Sequence, residues 1–169
     1  MGDYVKIDYL ERVLKTHLDF ETRKYALLTI SRLYENRGMF NEAAKTMKSA
    51  SEINTTFRTK IQDYMKSIEL FVKGASFQDV DFMVAQALAL GNDREKTEIK
   101  SMLKTYYMNE ANDLMKKDRR NHAKKVYEKC LNLDLSHNEK QFIQQQLLNL
   151  YEKLGNVQEF LKLKKSMLI

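Results

Sequence analysis

Few residues of this chain have the types and spacing that enzymatic chemistry requires. The histidines His17, His122 and His137 form no pair at metal-ligand spacing, and there is no HExxH motif. The phosphate-binding loops GxxxxGK[ST] and GxGxxG and the GxSxG turn of hydrolases are missing as well. The sequence therefore predicts a protein that is not an enzyme and uses no metal or cofactor. An active site assembled from residues distant in sequence is the alternative.

Cys130 is the only cysteine, so the chain cannot form an internal disulfide, which suits a reducing compartment. The first ten residues carry charges throughout and do not read as a secretory signal. No apolar run approaches the ~18 residues of a membrane span. We therefore expect a cytoplasmic protein with no membrane contact, and a monomer or weak homodimer.

The composition favours long helices. The 169 residues include no proline and only five glycines, and these are the two residues that most disfavour helix interiors. Apolar residues recur at helical spacing between short polar breaks, which predicts nine helices joined by short turns. Asp3 and Asn41 are predicted to be the N-caps of the first and third helices.

Two distant stretches resemble each other in register. Residues 33–48 read LYENRGMFNEAAKTMK, and residues 150–165 read LYEKLGNVQEFLKLKK. Each covers the end of one helix, a turn and the start of the next helix. Here the sequence resembles the tetratricopeptide repeat, a helix–turn–helix unit of about 34 residues. The resemblance implies stacked units, because a single helix pair cannot bury its apolar face alone.

The resemblance is best in residues 24–57, where Gly38 and Phe40 would form the turn and Ala43 would be the small packing residue of the second helix. It implies an all-α fold: a right-handed stack of antiparallel helix pairs, a tetratricopeptide-like α-α superhelix of about nine helices. A looser α-solenoid or αα-hairpin bundle is the alternative. One domain, 1–169, would hold an extra helix in 1–22 and units at 24–57, 61–91, 104–137 and 141–169, with second-helix positions at 43, 80, 123 and 160.

In tetratricopeptide proteins the first helices line a concave groove that holds a partner peptide. The resemblance therefore implies a protein-interaction module or scaffold, binding a peptide or helix of another protein. Its register assigns the following residues to the groove: Arg32, Asn36, Met65, Glu69, Lys73, Met108, Asn112, Met115, Lys116, Gln145, Asn149 and Lys153.

Two features of these residues suggest how a partner would be held. Asn112 and Asn149 occupy equivalent positions, and an amide can both donate to and accept from a peptide backbone. Lys73, Lys116 and Lys153 also share one position, and would favour an acidic partner. Ordinary solvated helix residues are the alternative interpretation.

A basic patch supports a different hypothesis. The net charge is +6, and cations cluster around the third unit's turn: Lys116, Lys117, Arg119, Arg120, Lys124 and Lys125. Such charges are sufficient for phosphate contacts, so binding of nucleic acid (RNA) is the alternative function. No recognised nucleic-acid motif accompanies the patch, which makes the protein partner the preferred interpretation.

Overall fold

The computed structural model describes residues 2–167. Within that range the chain forms nine α-helices and no strand. Their bounds are α1 Asp3–Leu14, α2 Phe20–Asn36, α3 Phe40–Glu52, α4 Phe57–Lys73, α5 Phe77–Leu90, α6 Asp93–Lys116, α7 Arg120–Cys130, α8 His137–Lys153 and α9 Val157–Ser166. The prediction of an all-α fold of about nine helices is confirmed.

The chain divides within α6 into two compact units, residues 1–99 and 100–169. In the first unit, α1 packs on α2, α2 on α3, α3 on α4 and α4 on α5. In the second, α7 packs on α8 and α8 on α9. The single domain 1–169 and the right-handed superhelix stay predictions, and residues 1, 168 and 169 lie outside the described range.

The same three-residue turn joins four helix pairs: α2 to α3, α4 to α5, α6 to α7 and α8 to α9. Its middle residue has positive φ, at positions 38, 75, 118 and 155, that is, at intervals of 37, 43 and 37. The next residue donates its N–H to a carbonyl in the last helical turn, for example Met39 to Tyr34 at 2.9 Å and Asn156 to Tyr151 at 2.8 Å. This is the Schellman arrangement, which satisfies carbonyls left unpaired at a helix end.

Only two of the four left-handed positions hold glycine. Gly38 and Gly155 have φ of 72° and 68°, whereas Ala75 and Asp118 each have φ of 54°. A Cβ in this conformation crowds the following carbonyl oxygen and costs roughly 1–2 kcal/mol. The turns at Ala75 and Asp118 therefore carry backbone strain that the two glycine turns avoid.

Gly74 stands one position before the left-handed residue because a neighbour leaves no room for a side chain. A Cβ there would lie 2.1 Å from Oδ1 of Asn41, which belongs to the preceding helix pair. Nδ2 of Asn41 donates to the Gly74 carbonyl at 3.3 Å. The prediction of Asn41 as an N-cap is therefore wrong: Met39 holds that place, and Asn41 contacts the next turn instead. Asp3 likewise lies inside α1, with Gly2 at the N-cap.

Helix α3 is held from both sides by buried serines. Its residues Ala43 and Ala44 have no exposed surface, and small side chains there let α2 and α4 approach closely. Oγ of Ser31 in α2 donates to the Ala43 carbonyl at 2.9 Å, and Oγ of Ser67 in α4 donates to the Ala44 carbonyl at 2.8 Å. These bonds satisfy two buried hydroxyls, which would lower the stability of the fold if they were buried without a partner.

The C-terminal end of α3 is fixed by a lysine from α2. Nζ of Lys24 lies 2.9 Å from the Ala50 carbonyl and 2.7 Å from Oδ1 of Asn54, and it also pairs with Asp63 of α4. A cation at a helix C-terminus complements the partial negative charge there. Lys24 thus joins three consecutive helices.

The left-handed positions offer a direct stability test. We expect Ala75→Gly to stabilise the protein by roughly 0.5–1 kcal/mol, because relief of strain exceeds the added entropy of the unfolded chain. Ala85→Gly, at an exposed site inside α5, should instead cost about 1 kcal/mol. Guanidinium denaturation measures both. Equal destabilisation by the two changes would show that the backbone at Ala75 is not strained.

Packing at the second helices can be tested by placing a charge there. Ala43 and Ala123 have no exposed surface, so Ala43→Glu and Ala123→Glu should each destabilise by several kcal/mol, on the order expected for an unpaired buried charge. Ala85→Glu, on an exposed face, is the matched control and should change thermal unfolding little. If all three variants unfold at the same temperature, Ala43 and Ala123 are not in tightly packed helix contacts.

Candidate protein-binding surface

In the first unit, the groove residues predicted from sequence differ in their exposure to solvent. Arg32 and Asn36, on α2, are exposed. Met65, on α4, is only 2% exposed and belongs to the core. The prediction that Met65 offers apolar contact to a partner is therefore wrong, because its side chain is already covered.

Glu69 and Lys73 form part of an ion-pair network rather than an open row of charge. Nζ of Lys73 lies 2.7 Å from Glu69 and 3.6 Å from Glu35 of α2, and Lys66 pairs with the same two carboxylates at 3.2 and 3.0 Å. Burial opposes ionisation of Glu69 and Lys73, but the hydrogen bonds and charges of the network outweigh it. They lower the pKa of Glu69 and raise that of Lys73. The positive charge of Lys73 is thus balanced by carboxylates of its own unit.

In the second unit, α6 presents Asn112 and Lys116 on an exposed surface, with Met108 and Met115 half-buried beside them. The hydroxyl of Tyr127, in α7, donates to Oδ1 of Asn112 at 3.2 Å and so orients the amide. Lys116 is 3.7 Å from Asp113, with 79% of its side chain exposed. Such a surface pair is weak and leaves most of the lysine's charge available.

Helix α8 repeats the arrangement of α6. Gln145, Asn149 and Lys153 are all exposed. Asn149 and Lys153 precede the left-handed Gly155 by the same six and two residues by which Asn112 and Lys116 precede Asp118. The amide and the lysine therefore recur at equivalent places on the two first helices of this unit.

A charge contact joins these two helices near the start of α8. Nζ of Lys104, in α6, lies 2.8 Å from Oε1 of Glu139. Glu139 also completes a capping box with Ser136, whose N–H donates to Oε2 of Glu139 at 2.8 Å. The hydrogen bond from Lys104, followed by those of Ser136, lowers the pKa of Glu139 to about 2.

The basic patch is exposed but partly engaged by its own neighbours. Lys116, Lys117, Arg119, Arg120 and Lys125 are exposed, and Lys124 is half-buried. Arg120 pairs with Asp118 at 2.7 Å, and Nζ of Lys124 donates to Oδ1 of Asn156 at 2.9 Å. These contacts leave Lys117, Arg119 and Lys125 as the cations to which the structure assigns no such role.

The cysteine and the histidines occupy different environments in the described chain. Burial raises the pKa of the Cys130 thiol to about 12, so it is inert near neutral pH. His17, His122 and His137 are exposed on different segments. Among residues 2–167, no group of three or more metal-ligating side chains occurs. No helix in that range is long and apolar enough to cross a membrane.

The tetratricopeptide repeat family model matches residues 105–137, which comprise the later part of α6, the turn, all of α7, the loop after it and the first residue of α8. No curated protein matches the sequence. The match and the helices together fit a tetratricopeptide-like helical repeat protein. Such repeats generally mediate protein–protein interactions and are typically not catalytic.

The Lys104–Glu139 contact predicts a specific dependence of stability on pH. Because the folded-state pKa of Glu139 is about 2, below the ordinary glutamate value of 4.5, its ionised form contributes stability that is complete above about pH 4.5 and is lost as pH falls towards 2. We expect the loss caused by Glu139→Gln, measured by urea denaturation, to shrink over that window. In a Lys104→Met background the loss above about pH 4.5 should be smaller. A loss that is constant from pH 6 to 2.5 would contradict the contact.

Proposed function

We propose that this chain binds a peptide or helical segment of another protein on the exposed first-helix surface of its second unit. The observation that carries the proposal is the recurrence of Asn112 with Lys116 on α6 and of Asn149 with Lys153 on α8. Equivalent positions on successive first helices suit a partner that crosses both helices. We call these four residues the amide–lysine surface.

The chemistry of the amide–lysine surface favours a polypeptide with acidic side chains. An amide can donate to a backbone carbonyl and accept from an N–H. The hydroxyl of Tyr127 donates to Oδ1 of Asn112, so the NH2 group of Asn112 is the part of the amide that can donate to a partner. Lys116 and Lys153 are exposed and attract carboxylates, while the thioether side chains of Met108 and Met115 adapt to varied apolar contacts.

The first unit is a weaker candidate for this role. Met65 is buried, and Lys73 is neutralised by Glu69 and Glu35. Arg32 and Asn36 could extend the contact, but they do not repeat the amide–lysine pair. We therefore place the main binding energy on the second unit.

Nucleic acid is the less favoured partner. Within the basic patch, Arg120 pairs with Asp118, which reduces the charge presented to phosphate, and the ammonium group of Lys124 is hydrogen-bonded to Asn156. A module that binds protein, acts without catalysis or cofactor, and works in the cytoplasm as a monomer or weak dimer is the function we propose.

The proposal predicts a charge- and position-specific loss of binding. We expect Lys116→Ala with Lys153→Ala to weaken partner binding tenfold or more, because each hydrogen bond to a charged group contributes about 1.5–3 kcal/mol. The measurement is affinity capture from native lysate with the wild-type and variant chains as bait, followed by titration of peptides from each captured protein. Asn112→Ala with Asn149→Ala should weaken the same peptides.

The matched control removes the same charge elsewhere. Lys117→Ala with Lys125→Ala changes two exposed lysines outside the amide–lysine surface and should leave peptide affinity within about twofold. Nuclease treatment of the lysate should not release the captured protein. If the control pair abolishes capture, the amide–lysine pair does not, and nuclease releases the bound material, then the basic patch is the site and nucleic acid is the ligand.

A further inference from the structure

The outward face of α9 carries apolar side chains that stand in solvent. Val157 is 63% exposed and Leu161 59%, and they lie one helical turn apart. Lys165 follows on the same face a further turn along and is exposed. Phe160 and Leu163, on the other side, are half-buried, and α9 packs on α8. We refer to Val157, Leu161 and Lys165 as the α9 stripe.

The repeat shows what the corresponding face does on another second helix of the same unit. The shift of 37 residues between left-handed positions 118 and 155 relates Leu161 to Lys124, and Lys165 to Glu128. On α7 both positions contact the following helix pair. Lys124 donates to Asn156 at 2.9 Å, and the hydroxyl of Tyr151, in α8, donates to Oε1 of Glu128 at 2.9 Å.

The first unit uses the same face in the same way. The residue of α3 equivalent to Leu161 is Ala44, six residues after the left-handed Gly38. Ala44 is fully buried, and its carbonyl accepts from Ser67 of α4. In both cases a first helix of the following pair lies on this face.

The side chains of the α9 stripe define the chemistry of a helix that would lie there. Val157 and Leu161 require apolar side chains opposite them, since burying them is the main gain in free energy. Glu128 of α7 meets a hydroxyl donor, whereas Lys165 is itself a donor and requires an acceptor. A carboxylate provides that acceptor together with the opposite charge.

A second copy of this chain fits the α9 stripe poorly. A second α9 stripe would offer Lys165 no carboxylate, and each chain carries a net charge of +6. Like charges at a contact oppose association. A partner helix with acidic residues has no such penalty.

We propose that the α9 stripe binds an amphipathic helix of a partner protein, apolar opposite Val157 and Leu161 and acidic opposite Lys165. The helix takes the place on α9 that α8 takes on α7. This surface is separate from the amide–lysine surface, so a partner can bind to both or to either one.

The chain itself provides a probe for the test. A fluorescein-labelled peptide of residues 136–153 carries the face with which α8 covers α7, and Tyr151→Glu in that peptide places a carboxylate opposite Lys165. The comparison peptide carries Tyr151→Lys. With the full chain, fluorescence anisotropy should show the glutamate peptide binding at least tenfold more tightly than the lysine peptide.

Variants of the protein identify the surface that the probe occupies. Lys165→Glu should reverse the preference between the two peptides, and Leu161→Asp should weaken binding of both by tenfold or more. Because Leu161 is exposed, circular dichroism should show both variants folded like the parent. Lys116→Ala with Lys153→Ala should leave probe binding unchanged, which separates this proposal from the function proposed above.

Several results would overturn the proposal. Equal affinity for the two peptides, or no reversal with Lys165→Glu, would remove the charge pairing. No binding of either peptide up to about 1 mM, an affinity of about 4 kcal/mol, would remove the docking face itself. Sedimentation that shows a dimer of the parent chain, lost in Leu161→Asp, would make a second copy the occupant.

Discussion

The left-handed residue in the four three-residue turns, at positions 38, 75, 118 and 155, is the constraint on which the rest of this structure depends. It ends the first helix, reverses the chain in three residues and fixes where the second helix begins. Buried and exposed positions recur at fixed numbers of residues before and after it. The tightly packed Ala43 and Ala123 lie five residues after it, and the exposed Asn112 and Asn149 lie six residues before it. Buried seams and exposed surfaces are therefore set by one backbone conformation that recurs four times.

Sequence reasoning predicted the helices and the places of their turns because both are local properties. Helical periodicity and the absence of proline favoured helices, and Gly38 and Gly155 marked two turns directly. The left-handed conformation was less evident at Ala75 and Asp118, because alanine disfavours positive φ and aspartate adopts it far less readily than glycine does. The N-cap at Asn41 was wrong because a contact with Gly74, distant in sequence, determines where that side chain goes.

The candidate surface was less predictable, because exposure and charge state depend on which helices meet. Register placed Met65 and Lys73 beside Asn112 and Lys116, as members of one set. Neighbouring helices bury Met65, and Glu35 of α2 helps to neutralise Lys73, a pairing across 38 residues of chain that no local pattern indicates. The same holds for Asn112, whose amide is oriented by Tyr127 on the following helix. Equivalent positions in a repeat have the same place on the helix backbone. The exposure and hydrogen bonding of each side chain then depend on its own neighbours.

Gly74 shows how such a neighbour restricts the evolution of the chain. Its backbone conformation is open to any amino acid, and a Cβ is excluded by the Asn41 side chain and crowded by the Asn41 backbone nitrogen at 3.3 Å. Asn41 would have to rotate and give up its bond to the Gly74 carbonyl before position 74 could change. Positions 41 and 74 are therefore coupled: alanine or serine at 74 requires the Asn41 side chain to rotate away or to be replaced by a smaller one.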